Sequence, residues 1–189
     1  MNQPTRQAAP PRMAAPLPPV PSDDGLPPPD RAALRSAFGA FTTGITVITA
    51  GREEPRGMTA NSFTSVSLDP ALALVCVLRQ AALHGAVLEC GEFAVSVLHA
   101  GQEPAARYFA DRSRPRGPRE FEPIPSRPGP HTGAPILVGA LAWLECKLAA
   151  VYDGGDHSIF LGSVLDAGHA PDADTLLYHR GRFRHLAVD

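Results

Sequence analysis

A long alternating segment near the C-terminus constrains the fold more than any other part of the chain. Between residues 140 and 152, apolar side chains recur at every second position, which is the period of a half-buried β-strand. The sequence Asp153-Gly154-Gly155-Asp156 follows and predicts a tight reversal into a second strand over 157–165. We therefore expect a long antiparallel hairpin in this part of the fold.

Other segments predict further short strands and a few helices. Asp30 is a candidate N-cap for a helix that carries Leu34, Phe38 and Phe41 on one side. β-Branched and alternating runs between turn residues predict the remaining strands, at 45–49, 57–63, 71–78, 93–98, 175–179 and 182–186. Two short helices are expected at 83–90 and 102–110. Because no β-α-β rhythm is present, the pattern favours a β-barrel with α-helical insertions.

Two segments have compositions that set them apart. Residues 1–29 consist mainly of Pro, Ala and short polar residues, which predicts a disordered tail before a folded domain over 30–189. Residues 111–135 form a long stretch rich in Arg, Pro and Gly, which is more typical of a lid or binding loop than of a passive connector.

Several kinds of chemistry are excluded by the sequence. No two glycines are separated by a single residue, so the glycine fingerprint of Rossmann dinucleotide-binding proteins is absent. There is no Gly-Lys pair for a phosphate-binding loop and no Gly-x-Ser-x-Gly nucleophile elbow. The seven histidines are scattered and no Cys-x-x-Cys occurs, so we expect no metal site.

Charge and cysteine content bear on partners and location. The net charge of −2 gives no electrostatic reason to expect nucleic acid or an anionic membrane as a partner. The three cysteines are widely spaced in apolar stretches, which favours reduced, buried thiols over a disulfide framework. No apolar run is long enough to span a bilayer and no secretory signal is evident, so we expect a cytoplasmic protein.

The densest polar segment runs from Gly57 to Pro70. Its small hydroxyl and amide side chains stand where a strand would otherwise carry bulky apolar ones. Such residues let a flat ligand lie against the backbone, whose N–H and C=O groups can bind its polar edge. The alternative is an ordinary half-exposed sheet.

Two further segments contain candidate functional side chains. His157 follows the predicted tight turn, where a near-neutral pKa suits proton relay or hydrogen bonding to a cofactor. The alternative is a hairpin turn with an exposed histidine. Tyr178 is either an aromatic side chain beside a ring system or a core tyrosine of a strand.

Taken together, these segments resemble the flavin reductase-like split-barrel proteins, the reductase components of two-component flavin monooxygenases. The resemblance covers residues 31–186 and is carried by the stretches 41–49, 57–70, 133–137, 140–146, 155–159 and 176–178. It implies a six-stranded antiparallel split β-barrel of Greek-key type with a few short flanking helices. It also implies a homodimer with the flavin near the subunit interface.

The resemblance further implies which residues contact the cofactors. The flavin-binding positions correspond to Thr59, Ala60, Asn61, Ser62, Ser65, Val66 and Ser67, followed by Cys76, Val77, Leu78 and Arg79 at the end of the next strand. Tyr178 is a further candidate. His157 would lie near the nicotinamide and contribute to the geometry of hydride transfer.

The phosphate-binding turn departs from the family pattern. Relatives often have hydroxyl side chains there, whereas this chain has Ala81 and Leu83 at those positions. Arg79, Gln80, His84 and the free N–H groups at the start of the following helix are the remaining candidates for the phosphate. The departure leaves open whether FMN or FAD is preferred and whether the flavin is a substrate.

The expected activity is an NAD(P)H:flavin oxidoreductase that reduces FMN or FAD with NADH or NADPH and supplies reduced flavin to a partner monooxygenase. The protein would supply proximity and orientation, because the cofactors carry the difficult chemistry. Arginines between Arg112 and Arg127 are candidates for contacting NAD(P)H phosphates. One alternative is a flavin-binding carrier or sensor without reductase activity, and another is a split-barrel oxidase with a different small substrate.

Overall fold

The computed structural model describes residues 12–13, 29–170 and 174–186. Within them the three α-helices are α1 Arg31–Gly39, α2 Ala82–Cys90 and α3 Glu103–Ala110. The strands are β1 Arg12–Met13, β2 Thr43–Gly44, β3 Thr46–Ala50, β4 Arg56–Ala60, β5 Thr64–Leu68, β6 Ala71–Leu78, β7 Glu92–Val97, β8 Ser126–Pro128, β9 Pro135–Leu137, β10 Ala142–Gly154, β11 His157–His169, β12 Leu177–His179 and β13 Arg182–Arg184.

One large sheet dominates the fold, with the strand order β4-β3-β7-β10-β11-β6-β5 and β1 paired with β10. All pairs along this path are antiparallel. The predicted mainly β fold with antiparallel strands and few helices is therefore confirmed. The sheet curves until Ser62, just after β4, reaches Cys76 on β6: its Oγ donates to the Cys76 carbonyl at 3.0 Å and accepts from the Cys76 N–H at 3.1 Å.

The expected long hairpin is formed by β10 and β11, which pair over their whole lengths of 13 residues each. The turn is tighter than predicted, because Gly154 pairs with His157 and only Gly155 and Asp156 lie between the strands. Gly155 has a φ of 74°, a conformation that glycine adopts without steric cost.

Some predicted boundaries were wrong. Strand β5 was not predicted, because four of its five residues are exposed and it carries no apolar alternation. The segment 111–135 is not a simple loop, since it contains a 3-10 turn at Gly117–Glu120 and strand β8, which pairs with β9.

The described residues contain three buried apolar clusters, two of which pack a helix on the large sheet and one of which, Ala94 with Ala134 and Ile136, packs β9 on it. The first packs α2 against the sheet through buried side chains that include Leu83, Val87, Phe93 and Phe160. The second packs α3 against β3 and contains Val47, Ala106, Phe109 and Phe121. Full burial of each large apolar side chain contributes about 1.5–3 kcal/mol, so these two clusters fix α2 and α3 on the sheet.

Helix α1 differs from the other two helices. The predicted N-cap is present, since the Asp30 carboxylate accepts from the Ala33 N–H at 3.0 Å. The helix buries no residue, however, and it ends at Gly39, so the prediction that it carries Phe41 was wrong. Phe38, in its last turn, and Phe41, beyond its end, are 73% and 76% exposed.

The expected disordered tail lies outside the described residues, apart from the Arg12–Met13 pair and Pro29. Arg12 and Met13 pair in parallel with Ala150 and Val151 of β10. Among the described helices, none has the length and apolar character needed to cross a membrane.

Candidate active site

A cavity of about 590 Å³ opens between β4, the end of β6, α2 and α3. Residues from six parts of the chain line it, which explains why no single motif marks it. The lining residues are Arg56, Gly57, Met58, Thr59, Ala60, Asn61, Ser62, Cys76, Leu78, Gln80, Ala81, Ala82, Leu83, Phe109, Ala110, Arg112, Arg114, Arg116, Glu120 and His157.

The wall formed by β4 and the next two residues is flat because its side chains are small or turned aside. Gly57 lies so close to α3 that an added Cβ would be 2.7 Å from Cε1 of Phe109. Thr59 donates its hydroxyl to the Ala106 carbonyl at 2.6 Å, which ties β4 to α3. A flat ring can therefore lie along this wall and reach backbone polar groups.

The turn between β10 and β11 brings His157 to the cavity. Its Nδ1 donates to Asp156 Oδ1 at 2.6 Å, and this bond is the main reason that the pKa of Asp156 is lowered. A carboxylate bound at Nδ1 fixes the ring and leaves Nε2 for a ligand.

Arg79 holds that same turn. Its Nε donates to the Gly155 carbonyl at 3.0 Å, and its guanidinium pairs with Asp153 Oδ1 at 3.0 Å. The backbone N–H of Arg79 donates to the Asp156 carbonyl, also at 3.0 Å. A backbone bond from Gly155 and the nearby charge of Arg79 lower the pKa of Asp153, so this clamp is ionised at neutral pH.

The opposite side of the cavity is formed by arginines of the 111–116 segment. Arg114 is three-quarters or more buried and pairs with Glu120, whose side chain is only 1% exposed, at 2.7 Å. The same Glu120 oxygen accepts from the Gly57 N–H at 3.1 Å, and Arg114 donates to the Gly57 carbonyl. Arg114 and Glu120 thus connect this segment to the β4 wall.

Two other arginines of this segment remain available to a ligand. Arg112 and Arg116 line the cavity, and neither has an ion-pair partner or side-chain hydrogen bond within the described part of the chain. Guanidinium groups of this kind bind phosphate oxygens in pairs of hydrogen bonds.

The N-terminus of α2 faces the cavity from a third direction. Ala81, at the N-cap position, makes no side-chain hydrogen bond to the helix, and Ala81, Ala82 and Leu83 all line the cavity. The first N–H groups of a helix need acceptors and carry partial positive charge, so they favour an anion.

Comparison with known proteins places these features in a family. Residues 38–187 match a sequence profile described as the flavin reductase like domain. The chain belongs to the flavin reductase-like family. It is 53% identical over 162 residues to an NADH-dependent FAD reductase of Streptomyces globisporus, a match that covers 86% of this chain and 89% of that protein. It is 43% identical over 152 residues to the NADH-dependent FMN reductase SmoA of Agrobacterium fabrum, covering 80% and 83%.

Solved structures agree with this assignment. The Streptomyces globisporus NADH:FAD oxidoreductase SgcE6, in complex with NAD and FAD fragments, matches with a TM-score of 0.80 and 51% identity over 85% of this chain and 94% of that one. BorF, the flavin reductase component of a bacterial two-component tryptophan halogenase, matches with a TM-score of 0.80 and 52% identity, covering 85% and 100%. The predicted family, enzyme class and flavin and nicotinamide cofactors are thereby confirmed.

In this flavin reductase, several predicted site residues do meet at the cavity. They are Thr59, Ala60, Asn61, Ser62, Cys76, Leu78 and His157. Tyr178 lies at a neighbouring cavity of about 770 Å³, which shares Thr59, Ala60 and Asn61 with the first.

Other predicted site residues lie elsewhere. Ser65, Val66 and Ser67 belong to β5 and line neither cavity, and the Val77 side chain is buried in the core. His84 also lines neither cavity: its Nε2 lies 2.9 Å from Ser158 Oγ and its ring packs on Phe160. Burial, and secondarily the charge of Arg79, lowers the pKa of His84, which favours the neutral ring.

The sequence indicated the arginine-rich segment without showing which arginines reach the cavity. Arg56, Glu120 and Phe109 were not predicted as site residues, although they line it. The only available signal was the unusual length of the 111–135 stretch, because the burial of Glu120 arises from a contact 63 residues away in sequence.

Proposed function

We propose that this flavin reductase transfers hydride from NADH to FAD in the 590 Å³ cavity. The observation that carries the proposal is the placement of Arg112, Arg116 and the N-terminus of α2 around one flat wall, with no partner for either guanidinium group among the described residues. A flat ring with a phosphate-bearing chain fits such a donor set. The bound flavin supplies the acceptor for the hydride of the reduced nicotinamide.

FAD suits this donor set better than FMN. The positions 81 and 83 carry Ala and Leu, so the α2 turn has backbone donors and no hydroxyl donors for a single phosphate. Arg112 and Arg116 can each bind one phosphate of a diphosphate. The name of the Streptomyces globisporus relative, an NADH-dependent FAD reductase, supports the same choice of flavin and nicotinamide.

The residues have distinct proposed roles. The β4 wall from Thr59 to Ser62 orients the ring system, and Arg112 and Arg116 hold the phosphates. His157, fixed through Nδ1 by Asp156, presents Nε2 at the cavity and holds the nicotinamide or flavin edge in the orientation for hydride transfer. Ser65, Val66, Ser67, Cys76, Val77, Leu78, Arg79, His84 and Tyr178 stay predictions as cofactor contacts.

The choice of flavin is tested by steady-state oxidation of NADH and NADPH with FAD, FMN and riboflavin. We expect the highest kcat/KM with NADH and FAD. The Arg112→Ala and Arg116→Ala variants should raise KM for FAD about tenfold, which corresponds to the loss of one charge-assisted hydrogen bond, and should change KM for riboflavin little.

Arg127→Ala is the matched control for these variants. Arg127 lies in the same arginine-rich stretch, but its guanidinium packs 4.9 Å from the Trp143 ring centroid and does not line the cavity. It should leave KM for FAD unchanged. Equal KM increases in all three variants, or equal efficiency with FMN and riboflavin, would contradict the proposed phosphate site.

The product of this reaction is reduced flavin, and we propose that it passes to a separate flavin-dependent monooxygenase. A Mycobacterium tuberculosis relative at 36% identity, HsaB, is the reductase subunit of such an enzyme, and BorF serves a halogenase. Adding a flavin-dependent monooxygenase to the reductase, NADH and FAD should give its hydroxylated product, and no product without the reductase.

We also propose that the protein is a homodimer. Phe38, Phe41 and Leu68 are 73%, 76% and 96% exposed, and burying such side chains against a second copy would remove apolar surface from water. Light scattering during size-exclusion chromatography should give twice the chain mass of 20.0 kDa. A single-chain mass at micromolar concentration would contradict the proposal.

A cytoplasmic location is the remaining proposal. Cys76, Cys90 and Cys146 are free, which suits a reducing compartment. The prediction that all three thiols are buried was wrong, because only Cys146 is buried and Cys90 is exposed.

A further inference from the structure

Three potential metal ligands meet on the side of the large sheet that carries the β8–β9 loop. His131 lies in that loop, Glu145 on β10 and Asp166 on β11. Each offers one ligand atom, and these atoms lie within 4.8 Å of one another. None of the three residues lines either cavity described above.

Glu145 is the unusual member of this cluster, because its side chain is completely buried. Its Oε1 accepts from the His131 N–H at 3.1 Å, from the Thr132 N–H at 2.7 Å and from the Thr132 hydroxyl at 2.7 Å. Its Oε2 is also buried and has no hydrogen-bond partner among the described residues. A buried carboxylate oxygen without a partner is costly, so this atom requires a cation or a proton.

The neighbouring arginine does not supply that cation. Arg52 donates from Nε to the Thr132 carbonyl at 2.8 Å and from its terminal nitrogen to the His131 carbonyl at 3.0 Å. Its ion-pair partner is Glu92, at 3.9 Å, rather than Glu145. Arg52 therefore stabilises the loop backbone and leaves Oε2 of Glu145 unneutralised.

The other two ligands have suitable geometry and are accessible to solvent. His131 Nε2 lies 3.7 Å from Asp166 Oδ2, and both side chains are about half exposed. Ligand bonds of about 2.0 Å in a tetrahedral zinc site place neighbouring ligand atoms about 3.3 Å apart. A small shift of these exposed side chains brings them to that separation.

We propose that His131, Glu145 and Asp166 form a binding site for a divalent transition-metal ion, of which zinc is the best fit. An imidazole nitrogen with carboxylate oxygens suits zinc and its first-row neighbours, whereas magnesium and calcium prefer oxygen ligands only. Three protein ligands leave one tetrahedral position for water. The ion would neutralise Glu145 and connect the β8–β9 loop to the β10–β11 hairpin.

The site is tested with zinc itself, on the full chain after treatment with a chelator. A Cys90→Ser background removes the exposed thiol, which could bind zinc independently. Isothermal titration should give saturable binding of one zinc per chain. Cobalt(II) in place of zinc should give a spectrum without a thiolate charge-transfer band.

Variants of the two exposed ligands identify the site. His131→Ala and Asp166→Asn should each weaken zinc binding at least tenfold, and flavin reductase activity without zinc should be unchanged because neither side chain lines the cavity. His185→Ala is the matched control, since His185 pairs with Glu103 at 3.3 Å and lies outside this three-ligand group. It should bind zinc as the parent does.

A stability measurement provides a second readout. At a free zinc concentration of about 100 times Kd, the Tm of the parent should rise by several degrees and that of His131→Ala should not. The proposal is overturned if no saturable binding occurs up to about 1 mM zinc, or if His131→Ala and Asp166→Asn bind as tightly as the parent. An affinity for magnesium equal to that for zinc would also overturn the assignment, because it would indicate a site made of oxygen ligands in which the imidazole of His131 takes no part.

Discussion

Two polar networks border the cavity, and they differ in burial. On one side, Arg114 and Glu120 bond to the backbone of Gly57 and are almost out of contact with water. On the other side, Arg79 and Asp153 hold the turn that carries His157, and their side chains are 45% and 70% exposed. The first network shapes the β4 wall, and the second positions a side chain that faces the ligand.

This difference predicts opposite consequences of mutation. Removing one partner of a buried ion pair leaves an uncompensated charge and costs about 3–5 kcal/mol, whereas an exposed pair contributes about 0–1 kcal/mol. Variants of the buried network should therefore lose stability, and variants of the exposed turn should lose activity while they stay folded.

The largest effect is expected for Glu120→Ala. It leaves Arg114 without its carboxylate and the Gly57 N–H without an acceptor, so the free energy of unfolding should fall by about 3 kcal/mol and the Tm by about 6–12 °C. Thermal and urea unfolding measure both quantities. Glu122→Ala, at an exposed position of the same segment, is the control and should stay within about 0.5 kcal/mol of the parent.

An intermediate effect is expected for Arg79→Gln. Loss of the clamp on the turn should lower kcat about tenfold through His157, with the free energy of unfolding changed by less than about 1 kcal/mol. Steady-state kinetics separate the two roles considered for this residue. If KM for FAD rises and kcat stays constant, Arg79 binds the flavin phosphate, for which the sequence made it a candidate, and does not act through the turn.

The smallest effect concerns His84. Because burial lowers the pKa of His84 below its ordinary value of about 6.5 in the folded protein, the unfolded chain binds the proton more strongly. Its contribution to stability is therefore complete above about pH 6.5 and is lost as the pH falls from 6.5 through the lower folded pKa. Urea unfolding between pH 7.5 and 5 should show a shallower loss of stability for His84→Gln than for the parent. The same dependence of the unfolding free energy on pH in both proteins would contradict this prediction.

Local patterns predicted much of the fold and less of the site. Alternation and turn residues predicted the β10–β11 hairpin, and the bounds of β6 match the prediction at both ends. Strand β5 was missed because its exposed Thr and Ser residues carry no apolar period.

The features that the sequence did not predict depend on contacts between residues that are far apart in the chain. The Glu120–Gly57 bond spans 63 residues, and Glu145, which alternation placed simply on the face opposite Cys146, is buried beneath the β8–β9 loop. The local sequence does not show that the Arg79 side chain hydrogen-bonds to Gly155, or that the His84 side chain hydrogen-bonds to Ser158. These bonds form only when distant strands pair, so composition and spacing do not reveal them.

The most direct test of the central claim follows the reduction of FAD by NADH without oxygen, through the loss of flavin absorbance, in the parent and in His157→Ala. FAD affinity is measured in the same samples. We expect rapid reduction by the parent, a rate about 100-fold lower in the variant, and FAD Kd values within about threefold of each other. No reduction by the parent, or an unchanged rate in His157→Ala, would contradict the assignment of this cavity as the site of hydride transfer.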